Sequence, residues 1–295
     1  MTDNKYKSGL IATFSAFIIW GLAVIFWKQI KHVDSFEILT HRVIWSFIFI
    51  LIIFLTGDKY KFSRIKALSH NYKYLLLTSF LLCANWVTFI WAVNSGHVVE
   101  CSLGYFINPL VNVILGAAFF GERLRKLQTV AVIFAVFGVL VLTFSYGQFP
   151  WISFILAGTF GLYGMIRKKI NIDSIPGFGL EMLFAFPFAT GYLLLQNYRD
   201  GIAFLNAGLS TNILIIGTGI VTAVPLLLFN NGVRWLPLKT VGFIQYITPT
   251  GMFILGVFIY HEPFSIEKLI SFILIWIALG IYSFDNYLQL QRRRS

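Results

Sequence analysis

The chain has 295 residues, of which 58% are hydrophobic and only 12% charged, at a mean hydropathy of +0.78. Soluble domains carry about 25% charged residues, so a single water-exposed globule is excluded and a polytopic membrane protein is expected. The net charge of +11 invites a nucleic-acid reading, but the basic residues gather in loops on one side of the expected bilayer, and no nucleic-acid partner is required.

A helix needs about 20 residues to cross roughly 30 Å of hydrocarbon. That measure predicts ten spans, at 8–28, 36–56, 74–95, 99–120, 127–146, 150–167, 178–196, 212–234, 239–260 and 268–286. The first run follows Lys5 and Lys7 at full length and lacks a small-residue cleavage site, so it reads as a span rather than a removable leader. Pro150, Pro176 and Pro263 fall near span boundaries, where helix-end prolines belong. Cys83 and Cys101 sit inside apolar runs as small buried hydrophobes. With neither metal-ligand spacing nor a disulfide framework, no metal and no cofactor is expected.

Placing the N-terminus in the cytoplasm puts most of the 23 basic residues in inner segments, among them Lys59, Lys61, Arg64, Arg125, Arg167, Lys168, Arg234 and the basic tail at Arg292 to Arg294. Lys28, Lys31, Arg199 and Lys268 fall outside, and Arg42 within a span. This imbalance orients the chain with both ends inside, its basic surface against anionic lipid headgroups.

The fourth and ninth spans repeat one design. Pro109, Gly116 and Glu122 return as Pro249, Gly256 and Glu262, each 140 positions later, and Gly21-Leu22 and Lys28 return as Gly161-Leu162 and Lys168. Glu37 is answered by Glu181 at a spacing of 144. The chain therefore divides into a first unit at 1–146 and a second at 147–295. Five spans per unit is an odd number, so the units are expected to lie inverted, a plan of secondary transporters with the solute at the interface.

Charges below the interface cost at least a few kcal/mol unless paired or wetted. In the second span Glu37 and His41 are four apart and share a helix face, with Arg42 about 100° further round. Their expected partners are Glu100 and His97. The cluster reads either as a proton relay or solute anchor at the outer mouth, or as a salt-bridge lock between the second and fourth spans. Glu181, near the start of the seventh span, reads as its inner counterpart or as a first-turn glutamate favoured by the helix dipole. Pro109 and Pro249 are expected to kink their helices and open a cavity lined by Asn108, Gln245, Tyr246 and Thr248. Trp20, Asn85, Trp86, Trp91, Asn94, Tyr105 and Asn230 are further candidates, since aromatics with a few amides suit a small amphipathic solute.

Several long strings carry a resemblance: Glu37-Ile-Leu-Thr-His-Arg-Val-Ile-Trp-Ser46, Phe89-Ile-Trp-Ala-Val-Asn94, Ser102-Leu-Gly-Tyr-Phe-Ile-Asn-Pro-Leu-Val-Asn112, Gly121-Glu-Arg123, Val224-Pro-Leu226 and Gln245-Tyr-Ile247. On these, over nearly the whole chain, the sequence resembles the EamA-type transporters of the drug/metabolite transporter superfamily, within them the RarD (chloramphenicol-sensitive protein) subgroup. The resemblance implies an all-α integral membrane fold of ten transmembrane helices, in two EamA units, in a bacterial inner membrane. The expected function is a secondary transporter, not an enzyme, that moves a small polar or amphipathic metabolite by alternating access. Amino-acid-like or drug-like solutes lead, with efflux favoured over uptake and a proton as the candidate coupling ion. The expected partners are that solute and membrane lipids, with the protein a monomer or homodimer. An integral-membrane enzyme acting on a lipid headgroup, or a channel, is the alternative.

Overall fold

The computed structural model describes residues 3–56, 71–95, 97–259 and 265–292, and all regular structure among them is helical. Ten helical rods follow in order: α1 (Asp3–Gln29), α2 (Ser35–Thr56), α3 (Tyr72–Asn94), α4 (Val98–Phe120), α5 (Lys126–Tyr146), α6 (Trp151–Ile170), α7 (Ser174–Arg199), α8 (Leu209–Trp235), α9 and α10 (Ile266–Arg292). The ninth is broken into α9a (Leu238–Gln245) and α9b (Ile247–Ile254), and continues as a π-helical turn at Leu255–Ile259. Nine of the ten are long and apolar enough among the described residues to cross a membrane; α6, which ends in Arg167, Lys168 and Lys169, is the exception. Apolar side chains exposed around the bundle, such as Leu22, Ile52, Phe80, Ile114, Phe137 and Ile213, make the lipid-facing girdle such helices need. Of the expected repeat pairs, Glu262 lies outside the described residues, as do Arg64 and Pro263.

Helices α1–α5 pack chiefly against α6–α10. The pairs α2–α7, α4–α9a and α5–α10 meet directly, α1–α8 is matched by α3–α6, and α2–α8 by α3–α7. Adding or subtracting five from each number returns the same set. The α4–α9a crossing is close: a Cβ on Gly242 would stand 2.6 Å from the Pro109 carbonyl oxygen and 3.2 Å from Asn112 Cβ. Main chain cannot yield as a side chain can, so Gly242→Ala is expected to destabilise by about 1–3 kcal/mol through overpacking. Thermal unfolding in detergent, with Gly158→Ala as a control in open space, measures it.

Two sequence readings change. The start of α7 is Ser174, not 178, because proline is tolerated in a first helical turn where its missing N–H has no role, and Pro176 stands there. Glu181 is therefore the eighth residue of the helix and not a first-turn glutamate. Arg167, taken as an inner-loop charge, is only 2% exposed.

Candidate functional site

Pro109 in α4, Pro225 in α8 and Pro249 in α9b fall inside helices that wall one cavity, while Pro187 lies in α7, which does not line it. A proline cannot bond the carbonyl four residues earlier, and for the first three those residues are Tyr105, Val221 and Gln245. All three line that cavity. Around Pro109 the helix runs through; around Pro249 it breaks at Tyr246, whose N–H bonds Phe243 O at 3.3 Å in a tighter turn. The break turns Gln245 and Thr248 toward the cavity and leaves Tyr246 buried, its hydroxyl donating to Phe106 O at 3.3 Å.

The cavity measures about 150 Å³ and takes its walls from both halves of the chain. Trp20, Asn85, Trp86, Tyr105, Asn108, Gln245 and Thr248 line it, as the sequence suggests. So do Phe17, Trp27, Phe89 and Phe160, aromatics that sequence reading did not single out. Trp91, Asn230 and Tyr246 do not. Trp91 is 41% exposed and stacks on His97 at 5.5 Å, the position of an interfacial anchor. Asn230 donates to the Tyr163 hydroxyl at 2.7 Å. The side chains of Asn94 and Glu100 lie outside the described residues.

Most polar groups at the cavity brace helices. Asn85 Nδ2 donates to Leu156 O and to the Thr159 hydroxyl on α6, both at 2.9 Å. Thr248 ties α9b to Phe17 O of α1 at 2.8 Å. Asn112, a residue quoted in a motif but not picked as a site, donates to Gln245 Oε1 at 2.9 Å and to Asn108 Oδ1 at 3.3 Å, linking α4 to α9a.

Glu37, His41 and Arg42 separate as their helical angles require. Glu37 is 2% exposed; its carboxylate accepts the Ala203 and Phe204 amides, both at 2.9 Å, with His41 Nε2 at 3.7 Å. Beyond each other, the described partners of the Glu37 and His41 side chains come from the loop between α7 and α8, not from His97: the His41 ring packs at a tilt on Phe204 at 4.9 Å, and His97 stacks on Trp91. Arg42 points the other way, into the cavity. Its Nε donates to the Thr222 hydroxyl at 3.0 Å, and Trp27 and Trp86 lie against it.

At the opposite end of the bundle Glu122 does what Glu37 does. Its two oxygens accept the Leu238 and Lys239 amides at 2.8 and 3.0 Å, at the start of α9a, and Lys168 Nζ lies 4.0 Å away. A vestibule of about 1100 Å³ opens there, bordered by Glu122, Arg125, Lys168, Arg234 and Lys239. It shares no lining residue with the cavity. Phe17, Trp20, Phe160 and Phe229 contact one another ring to ring near the cavity floor.

Glu181 borders neither opening. It is fully buried, 3.4 Å from Arg167 Nη1, and accepts the Thr78 hydroxyl at 2.7 Å and the Tyr163 hydroxyl at 3.2 Å. Gly177, one turn before it, lies against the Arg167 guanidinium.

The EamA-like transporter family model matches the chain twice, at 7–144 and 149–284. The chain is 43% identical to "Uncharacterized transporter YojE" of Bacillus subtilis over 97% of each protein. It is 41% identical to "Protein RarD" of Escherichia coli over the full length of both, and 29% identical to "Chloramphenicol-sensitive protein RarD" of Pseudomonas aeruginosa over 97% of each. One solved crystal structure superposes with a TM-score of 0.73 over 94% of this chain and 97% of that one, at 15% identity, which shows a shared fold.

Proposed function

Since the chain belongs to the EamA-like transporter family and is a multi-pass membrane protein, we propose that it is a secondary transporter, working by alternating access on a small metabolite. The observation that carries this reading is the aromatic cavity at the junction of the two matched segments, walled by α1–α4 on one side and α6, α8 and α9 on the other. Solute sites of inverted-repeat carriers lie at such junctions. The inverted arrangement of units 1–146 and 147–295 is supported by the helix pairing, which survives exchange of the halves. It is also supported by the contact of Phe106 with Tyr246, 140 positions apart, where a pseudo-two-fold axis would pass.

In this mechanism the halves rock about the α4–α9a crossing. The cavity and the vestibule then connect in turn, with the aromatic floor as the barrier between them. The vestibule end carries Arg125, Lys168, Arg234 and Lys239, which favours placing it in the cytoplasm of a bacterial inner membrane. Export is the favoured direction. If protons are coupled, Glu37 and Glu181 remain the candidate carriers.

Ala23 borders the cavity with a minimal side chain. Ala23→Trp is expected to fill the space, cutting solute flux in reconstituted vesicles at least about tenfold while the unfolding temperature stays near that of the parent. Undiminished flux in the plugged variant would place the solute path elsewhere.

A further inference from the structure

Arg42 is the one charged residue among the described lining of the cavity, and its contacts with the protein use only part of it. A guanidinium carries five N–H donors and does not give up its charge in proteins. Nε is engaged by Thr222. The Trp27 and Trp86 ring centroids lie 5.0 and 4.6 Å from Cζ, a cation–π setting that holds the plane in place. The terminal amino groups make no hydrogen bond to protein among the described residues, and no described carboxylate lies within ion-pair distance. Glu37, five residues away, is committed to the 203–204 amides. A charge at membrane depth is expensive unless paired, and here the open donors border a cavity.

We propose that this cavity binds a small organic carboxylate, its two oxygens on the Arg42 terminal amino groups and its flat apolar body against Phe17, Trp20 and Phe160. Two parallel N–H···O bonds to one carboxylate are the geometry a guanidinium favours. A cavity of this volume takes one aromatic ring in other proteins. No aspartate or glutamate lines it among the described residues, so an ammonium group on the solute finds no counter-charge. The assignment names the class of solute within the transport reading and rests on that reading only for what happens after binding.

The test uses the full chain in lipid nanodiscs and four probes of one shape: 3-phenylpropanoate, 3-phenylpropanamide, phenylalanine and 2-phenylethylammonium. Quenching of tryptophan fluorescence reports binding, since Trp20, Trp27 and Trp86 border the site. The carboxylate is expected to bind at least about tenfold tighter than the amide, as a charge-assisted pair should. Phenylalanine should bind no tighter than the carboxylate, and the ammonium compound weakest. Arg42→Gln should bring the carboxylate down to the level of the amide. Thr222→Val, which keeps the charge but frees Nε, should give a partial loss and decides the matter if Arg42→Gln does not fold. Equal binding of carboxylate and amide, preference for the ammonium compound, a requirement for the amino group, or no binding by any probe would each overturn the proposal. Selective binding without flux of 3-phenylpropanoate in vesicles would leave the anion site standing and remove the transport reading. Flux of the amide without carboxylate binding would do the reverse.

Discussion

Replacing Glu181 by glutamine is expected to cost about 3–5 kcal/mol of stability, because it leaves Arg167 as an uncompensated buried charge. Glu181 Oε1 is 3.4 Å from Arg167 Nη1, and the two side chains are 0% and 1% exposed. Nε, Nη1 and Nη2 of Arg167 have no hydrogen-bond acceptor among the described residues, so the ion pair is the main compensation for that guanidinium. The reverse change is milder. Arg167→Met leaves a carboxylate that still accepts Thr78 and Tyr163 and can also take up a proton. Removing both charges, as Arg167→Met with Glu181→Gln, should recover much of the loss, since apolar replacements of buried pairs are often neutral or better. Denaturant unfolding of the four proteins in detergent closes the cycle. A double variant as unstable as Glu181→Gln alone would mean that the hydroxyl network at Glu181, not the charge, holds this part of the bundle.

The second large effect is expected at the two carboxylates that grip peptide groups. Glu122→Gln keeps one acceptor for the Leu238 and Lys239 amides but turns an NH₂ toward the other. It also gives up the charge beside Lys168 and beside the positive end of α9a. A charged hydrogen bond is worth about 1.5–3 kcal/mol and an orphaned buried donor costs a further 1–3, so a loss of about 3–4 kcal/mol is expected. Glu37→Gln faces the same geometry at the Ala203 and Phe204 amides and should lose about as much. The two diverge in transport. If the halves rock, each clamp must release in a different phase, and weakening one should shift the population toward the state open at that end. Thiol labelling from each side of oriented vesicles, with cysteines introduced at cavity positions, measures that shift. Identical labelling in both variants would mean that neither clamp gates access.

Nine of the ten rods are readable because each needs one long apolar run, α6 being shorter and ending in three basic residues, and the break in the ninth is readable from Pro249. What stayed hidden has physical causes. Side-chain chemistry names a donor or an acceptor but not its partner. The partners of Glu37 and Glu122 are main-chain N–H groups, which every residue but proline possesses, so nothing at Ala203, Phe204, Leu238 or Lys239 advertises them. Helical angles separated Arg42 from Glu37 and His41 correctly, yet only packing shows which of them faces the cavity. Glu181 is visible as the echo of Glu37, but its depth is not, because a proline in a first helical turn looks the same in sequence as one at a boundary. Pro225 stands in sequence only as part of the Val224-Pro-Leu226 string, inside an apolar run, yet four residues after Val221 it does for α8 what Pro109 does for α4. Trp91 and Trp86 are indistinguishable by type, and five positions on a helix put one at the rim and the other in the cavity.

The two clamps share a one-sidedness with a consequence for how this protein can vary. Glu37 and Glu122 both belong to the first half of the chain, and both seize the backbone of the second. The hydrogen bonds the second half contributes to these carboxylates come from its main chain, with Lys168 beside Glu122 the added side chain. The amides at 203, 204, 238 and 239 can make these bonds under any side chain but proline, whereas the two glutamates have no such latitude; Phe204, which packs on His41, and Lys239, whose Nζ donates to Arg123 O at 2.7 Å, carry side-chain ties besides.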